Sequence, residues 1–190
     1  MTTPAALIPR PESEAIIDSL KTIISDNLSL LPQRTHIVDV GTGTGCLGIT
    51  AKLEWPELDV TLTDISQHAL NLAEKNAKAL SADVSLVKND LLRGYALTFD
   101  IIIANLPYVN QRWEVSPDTV SEPDIALYAS DDGLALIKEL IDQTNTRLKK
   151  GGYLVLESDE RQHQQIVSYC RNHHLKHLDT NGLVTVFQSV

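Results

Sequence analysis

Residues 99–104 read Phe-Asp-Ile-Ile-Ile-Ala, and this run constrains the fold more than any other. A short apolar stretch rich in β-branched residues has no face to offer water. It belongs in the middle of a parallel sheet, covered on both sides. Further strand-like runs fall at 36–40, 59–63, 84–87 and 153–157, the last entered through a Gly151-Gly152 turn. Between them the spacing is helical. Ile16, Ile17, Leu20, Ile23 and Ile24 mark a helix over 11–24, with Pro11 in its first turn. Helices are also predicted over 46–53, 66–80 with Ser66 as N-cap, 134–148 and 162–172. Strands alternating with helices imply an α/β doubly wound, mostly parallel sheet. Asn181-Gly182 between two β-like runs adds a closing antiparallel hairpin. At 190 residues the expectation is one domain over 1–190, with 1–30 as a leading helical segment.

Charge and composition narrow the partners. Twenty-five acidic against sixteen basic residues give a net charge of −9, which argues against nucleic acid as the main partner. No run approaches the roughly 18 apolar residues of a membrane helix. Met1-Thr2-Thr3-Pro4 lacks the basic and apolar regions of a signal peptide, so a cytoplasmic protein without a membrane partner is expected. Cys46 and Cys170 have no metal or redox spacing and read as free thiols. His173 and His177 are four apart, with His174 between, but no companion ligand supports a metal site. Glu12 and Glu14 read as first-turn carboxylates favoured by the helix dipole. Trp113 either touches substrate or caps the core.

The first strand runs into Asp39-Val40-Gly41-Thr42-Gly43-Thr44-Gly45. Such glycines let a ligand approach the backbone closely. In open α/β sheets ligands sit at the carboxyl ends of the strands. Asp39, Gly41, Thr42, Gly43 and Gly45 are therefore expected to bind a cofactor. Asp64, with Ile65 beside it, ends the second strand, where a carboxylate can grip two ribose hydroxyls. Asn89 and Asp90 follow the third strand and can flank an adenine ring. Unrelated strand-ending turns are the plain alternative. Gly43 to Gly48 also matches the dinucleotide pattern G-x-G-x-x-G, which makes NAD a rival cofactor. Register favours S-adenosylmethionine, because Gly41 and not Gly43 follows the strand directly. That ligand has no pyrophosphate for a helix N-terminus.

The central run ends in Asn105-Leu106-Pro107-Tyr108. Acceptors, a rigid proline and an aromatic face there suit holding an amide or an exocyclic amine for alkylation. An ordinary strand-ending turn would use similar residues. A long irregular segment, Tyr108 to about Asp132, follows; a loop of that length in a compact domain is usually functional. Glu114, Asp118, Glu122 and Asp124 against Arg112 make it acidic, which favours a neutral or basic peptide.

Together these stretches resemble the HemK/PrmC family, the release factor glutamine N5-methyltransferases. Leu7-Ile8-Pro9-Arg10-Pro11-Glu12-Ser13-Glu14 is similar to the opening of the family's catalytic domain, and 39–45 to its cofactor loop. Asn105-Leu106-Pro107-Tyr108 resembles its Asn-Pro-Pro-Tyr motif, with Leu106 in place of the first proline. Glu122-Pro123, Ala126-Leu127, Asp132-Gly133-Leu134 and 151–157 resemble later landmarks. The resemblance implies a class I (Rossmann-like) methyltransferase fold, S-adenosylmethionine as cofactor and a peptide chain release factor as protein substrate. It implies that Asn105 and the Leu106 carbonyl accept the target N–H groups, that Pro107 fixes the turn and that Tyr108 packs on the amide. The family's N-terminal recognition domain is expected to be missing ahead of residue 1. The competing activity is N-methylation of an adenine or guanine amino group in nucleic acid.

Overall fold

The computed structural model describes residues 13–27, 34–110, 113 and 130–190. The opening segment before Ser13, including Pro11 and Glu12, and most of 108–132, including Arg112, Glu114, Asp118, Glu122 and Asp124, lie outside the described residues. The elements run α1 (Glu14–Asn27), β1 (His36–Val40), α2 (Cys46–Glu54), β2 (Asp59–Asp64), α3 (Gln67–Leu80), β3 (Ser85–Lys88) and β4 (Phe99–Ala104). They continue with α4 (Ala135–Arg147), β5 (Leu148–Glu157), α5 (His163–Arg171), β6 (Leu175–Asn181) and β7 (Val184–Ser189).

One seven-stranded sheet has the order β3-β2-β1-β4-β5-β7-β6. The first five strands are mutually parallel, and β7 pairs antiparallel with both β5 and β6. The chain thus winds outward from β1 in one direction, then crosses back to begin again at β4. That reversal between β1 and β4 is the switch point at which such sheets bind ligands. The hairpin is not simply appended at the edge. Its second strand slots in against β5, leaving β6 outermost.

Alternation along the strands feeds two cores. Ile37, Ile101, Ile103 and Val155 face α1, α2 and α3, where Ile16, Leu20, Leu47, Ile49 and Ala73 cover them. Val38, Val40, Ile102, Leu154 and Leu156 face α4 and α5 through Ile137, Leu140, Ile141 and Ile166. All six residues of β4 are buried, as its sequence requires. Asp100 within it accepts from the His36 N–H at 2.8 Å and from Lys149 Nζ at 2.8 Å. Ser66 caps α3 as expected, its hydroxyl accepting from the Ala69 N–H.

Two expectations need correction. Strand β5 starts at Leu148 and not at Tyr153. Leu148 pairs with Phe99 and Tyr153 with Ile101, so 149–152 bulge opposite Asp100. The two glycines form that bulge, and a Cβ on Gly152 would lie 2.7 Å from the Asp100 carbonyl. In the hairpin, Asn181 still pairs with Val184, so the turn is Gly182-Leu183, one residue later than predicted. His173 and His174 follow α5 and His177 lies in β6; among the described residues no group of side chains could hold a metal. No described helix is long and apolar enough to cross a membrane.

Candidate active site

Val40, Ala104 and Leu156 align across β1, β4 and β5. Immediately beyond that row come Gly41, Asn105 and Glu157. By alternation Asp39, Asn105 and Glu157 project toward the α1–α2 face, and all three strands end at the same edge. Asn105, Ser13, Asp39, Cys46 and the glycine turn line one pocket there. A roomier groove of about 270 Å³ lies between α1 and the hairpin, lined by Asp18, Thr22, Tyr153 and Asp179, and includes no strand-end residue of β1 or β4.

The turn is held from below. Asp39 is 1% exposed. Its Oδ2 accepts from the Thr42 hydroxyl at 2.6 Å and the Gly48 N–H at 3.0 Å. Burial pushes its pKa from 3.8 up to about 6, with the Asp64 charge adding a little, against the pull of the two hydrogen bonds. Asp39 thus supports the turn through Oδ2, and the residue also lines the pocket. Gly41 has φ +70° and packs flush on the next strand, because a Cβ there would sit 2.7 Å from Leu106 Cδ2. Gly45 leads into α2, and Asn76 of α3 donates to the Thr44 carbonyl at 2.9 Å.

Asp64 braces the other side. Its Oδ2 accepts from the Gly43 N–H at 3.0 Å and its Oδ1 from the Ser66 N–H at 2.8 Å. A carboxylate oxygen has a second acceptor position, so each can still take a hydroxyl. Ile65 is 54% exposed beside it, an apolar surface awaiting a cover. Asn89 donates its N–H to the Asp64 carbonyl at 3.0 Å and its side chain to the Leu91 carbonyl. Asp90 is half-buried and pairs with Arg93 at 3.4 Å. The predicted cofactor residues thus gather at the ends of β1, β2 and β3, with Asn105 just past the end of β4.

The motif is fixed by residues that sequence reasoning passed over. Asn105 Nδ2 donates to Ser13 Oγ at 3.0 Å, and Ser13 donates to Glu157 Oε2 at 2.7 Å. The Tyr108 hydroxyl donates to Glu157 Oε1 at 3.2 Å. Leu106 is buried on the opposite face with α4, and Pro107 is half-buried. Gln162, itself buried, donates to the carbonyls of Tyr108 at 2.8 Å and Asp132 at 2.9 Å. Gly133 makes room for this clamp. Its φ is +86°, and a Cβ would fall 2.0 Å from the Tyr108 carbonyl. Trp113, half-buried, stacks under Arg161 at 3.6 Å. Glu14 is exposed near the pocket, its charge one cause of the raised Cys46 pKa, after burial and Asp39. Glu157 had a readable signal: it ends an apolar run one row beyond Leu156, as Asn105 ends its own. Ser13 and Gln162 had none.

The methyltransferase small domain family matches residues 13–181. The release factor glutamine methyltransferase of Deinococcus radiodurans is 38% identical over 158 residues, covering 82% of this chain and 55% of that protein. That of Streptococcus pneumoniae is 35% identical over 170 residues, covering 88% and 59%. The chain spans a little over half the length of these two relatives. A methyltransferase from Pyrococcus furiosus superposes with a TM-score of 0.70 at 19% identity, covering 100% of this chain and 87% of that one. Its likeness shows the class I methyltransferase fold. With the match running from the start of α1 to the end of β6, the chain belongs to the methyltransferase small domain family.

Proposed function

We propose that this domain methylates the side-chain amide nitrogen of glutamine in a protein, a peptide chain release factor, using S-adenosylmethionine. The observation that carries this reading is that Asn105 lines the same pocket as the glycine turn, with its NH2 group engaged by Ser13. The carboxamide oxygen is thereby left to accept from a target. The match to release factor methyltransferases supports the substrate, and a release factor as substrate implies work in the cytoplasm.

The residues present fit the cofactor. Asp64 has acceptor positions for ribose hydroxyls, Ile65, Asn89 and Asp90 would flank adenine, and buried Asp39 would set negative charge beside a ligand that carries positive charge. When bound, the cofactor supplies a methyl group already activated by its sulfonium. The chain's task is then alignment, which brings the target nitrogen into line with that methyl. Asn105 Oδ1 accepts one N–H of the target amide and the Leu106 carbonyl accepts the other. Both oppose the positive charge that grows on nitrogen. Tyr108 packs against the flat amide, and Pro107 keeps Leu106 extended. No strong general base is needed.

The test is transfer of labelled methyl to purified release factor, with tRNA, rRNA and DNA as parallel acceptors. Label on a release-factor glutamine is expected. Label on nucleic acid alone, or calorimetry showing NAD as the tighter ligand, would overturn the reading.

A further inference from the structure

The chain of hydrogen bonds from Glu157 to Asn105 has a direction, and the direction has a chemical consequence. Glu157 is 2% exposed, and its two oxygens accept, one from Ser13 and one from Tyr108. Ser13 has one hydroxyl proton, which goes to Glu157 Oε2 at 2.7 Å. Toward Asn105 the Ser13 oxygen can then only accept, so the carboxamide must turn its NH2 to Ser13, at 3.0 Å. Its oxygen is forced the other way. The second carboxylate oxygen takes the Tyr108 hydroxyl, so both ends of the motif are tied to one group. Ser13 directly precedes α1, Asn105 follows β4 and Glu157 ends β5, and the relay bridges all three elements.

We propose that Glu157, acting through Ser13, is a positioning residue that sets the polarity of the Asn105 carboxamide and so makes the site choose an amide over a carboxylate. This rests on the amide-methylation reading above. A carbonyl oxygen fixed in the pocket accepts from the NH2 of glutamine and repels the otherwise similar side chain of glutamate. Nothing in the size of the pocket separates those two side chains, which are nearly the same shape. The discrimination has to come from hydrogen-bond direction. A neutral carboxamide at 157 would end it. Glutamine offers a donor as well as an acceptor, so Ser13 could accept from it and donate to Asn105. The Asn105 amide would then be free to turn over and present NH2 to the pocket.

The experiment compares wild type, Glu157→Gln and Ser13→Ala in the full chain. It measures kcat and KM for a capped glutamine peptide, inhibition by the matching glutamate peptide, and affinity for S-adenosylhomocysteine. Wild type is expected to prefer the glutamine peptide by about tenfold or more, since a site built for a donor rejects its lack. In Glu157→Gln that preference collapses and kcat falls roughly ten- to a hundredfold, while cofactor-product affinity moves less than about twofold. Ser13→Ala removes the relay but leaves the carboxylate, and carries the same expectation if Glu157→Gln does not fold. A residue that only buttresses the fold would lower the unfolding midpoint and leave the preference intact; that result overturns the proposal. The side-chain amide resonances of Asn105 in the ligand-free protein give a readout without turnover. If wild type methylates no amide, the proposed function fails. The relay is still decided by those resonances: a change in Glu157→Gln supports it and none refutes it.

Discussion

Replacing Asp39 with asparagine should stabilise the ligand-free domain at neutral pH while weakening cofactor binding. Asp39 is 1% exposed and its pKa stands at about 6, against 3.8 ordinarily. Between those values the folded chain holds a proton that the unfolded chain has released. Stability from this group is therefore full below 3.8 and lost as pH rises through about 6. The full difference is about 3 kcal/mol, most of it lost between about pH 4.5 and 6.5. Asparagine does not titrate. Both hydrogen bonds at this position go to one oxygen, so its Oδ1 can take them from Thr42 and Gly48. The assay is urea unfolding of wild type and Asp39→Asn across that pH range. The two are expected to be close in stability at the acid end, with the variant pulling ahead as pH rises. A stability difference that stays constant over the range would show that the Asp39 carboxylate is not strained by burial, and the reasoning would fail. Calorimetry should show the opposite order for S-adenosylmethionine, with the wild type binding more tightly as pH rises through 6.

Asn105→Ala should lower methyl transfer by about a hundredfold or more while cofactor affinity stays within about twofold, read by labelled transfer and calorimetry. Gly133→Ala forces a Cβ against the Tyr108 carbonyl at φ +86°; urea unfolding should show a loss of about 1–2 kcal/mol from the left-handed backbone alone, and peptide KM should rise. Cys170, 0% exposed with its thiol pushed up to about 12, should react with a thiol reagent only after denaturation. Cys46, half-buried in the pocket with its pKa raised by burial and by Asp39 and Glu14, should react slowly in the folded chain and be protected by cofactor, as followed by mass spectrometry.

The central strand was legible in full, since six buried residues in a row leave one place in a sheet for it. The glycine turn and Asn105 were legible because strand ends are where an apolar pattern breaks into polar residues. Boundaries set by hydrogen bonding were less so. The bulge at 149–152 depends on Asp100 needing Lys149, a pairing across strands that no local pattern carries. Asp39 was read correctly as belonging to the pocket, but which way its carboxylate turns depends on Gly48, nine residues on in the next helix. Ser13 was invisible as a site residue, because its role arises only when α1 docks over the ends of β4 and β5.

The Gln162 clamp has a consequence for how such a domain can change. One side chain grips the carbonyls of Tyr108 and Asp132, and the chain between them begins and ends at that grip. Lengthening a loop whose ends are already fixed costs only about 0.6 kcal/mol per doubling. A change in the length of that segment therefore meets the sheet at one place, with a single glutamine as the seam.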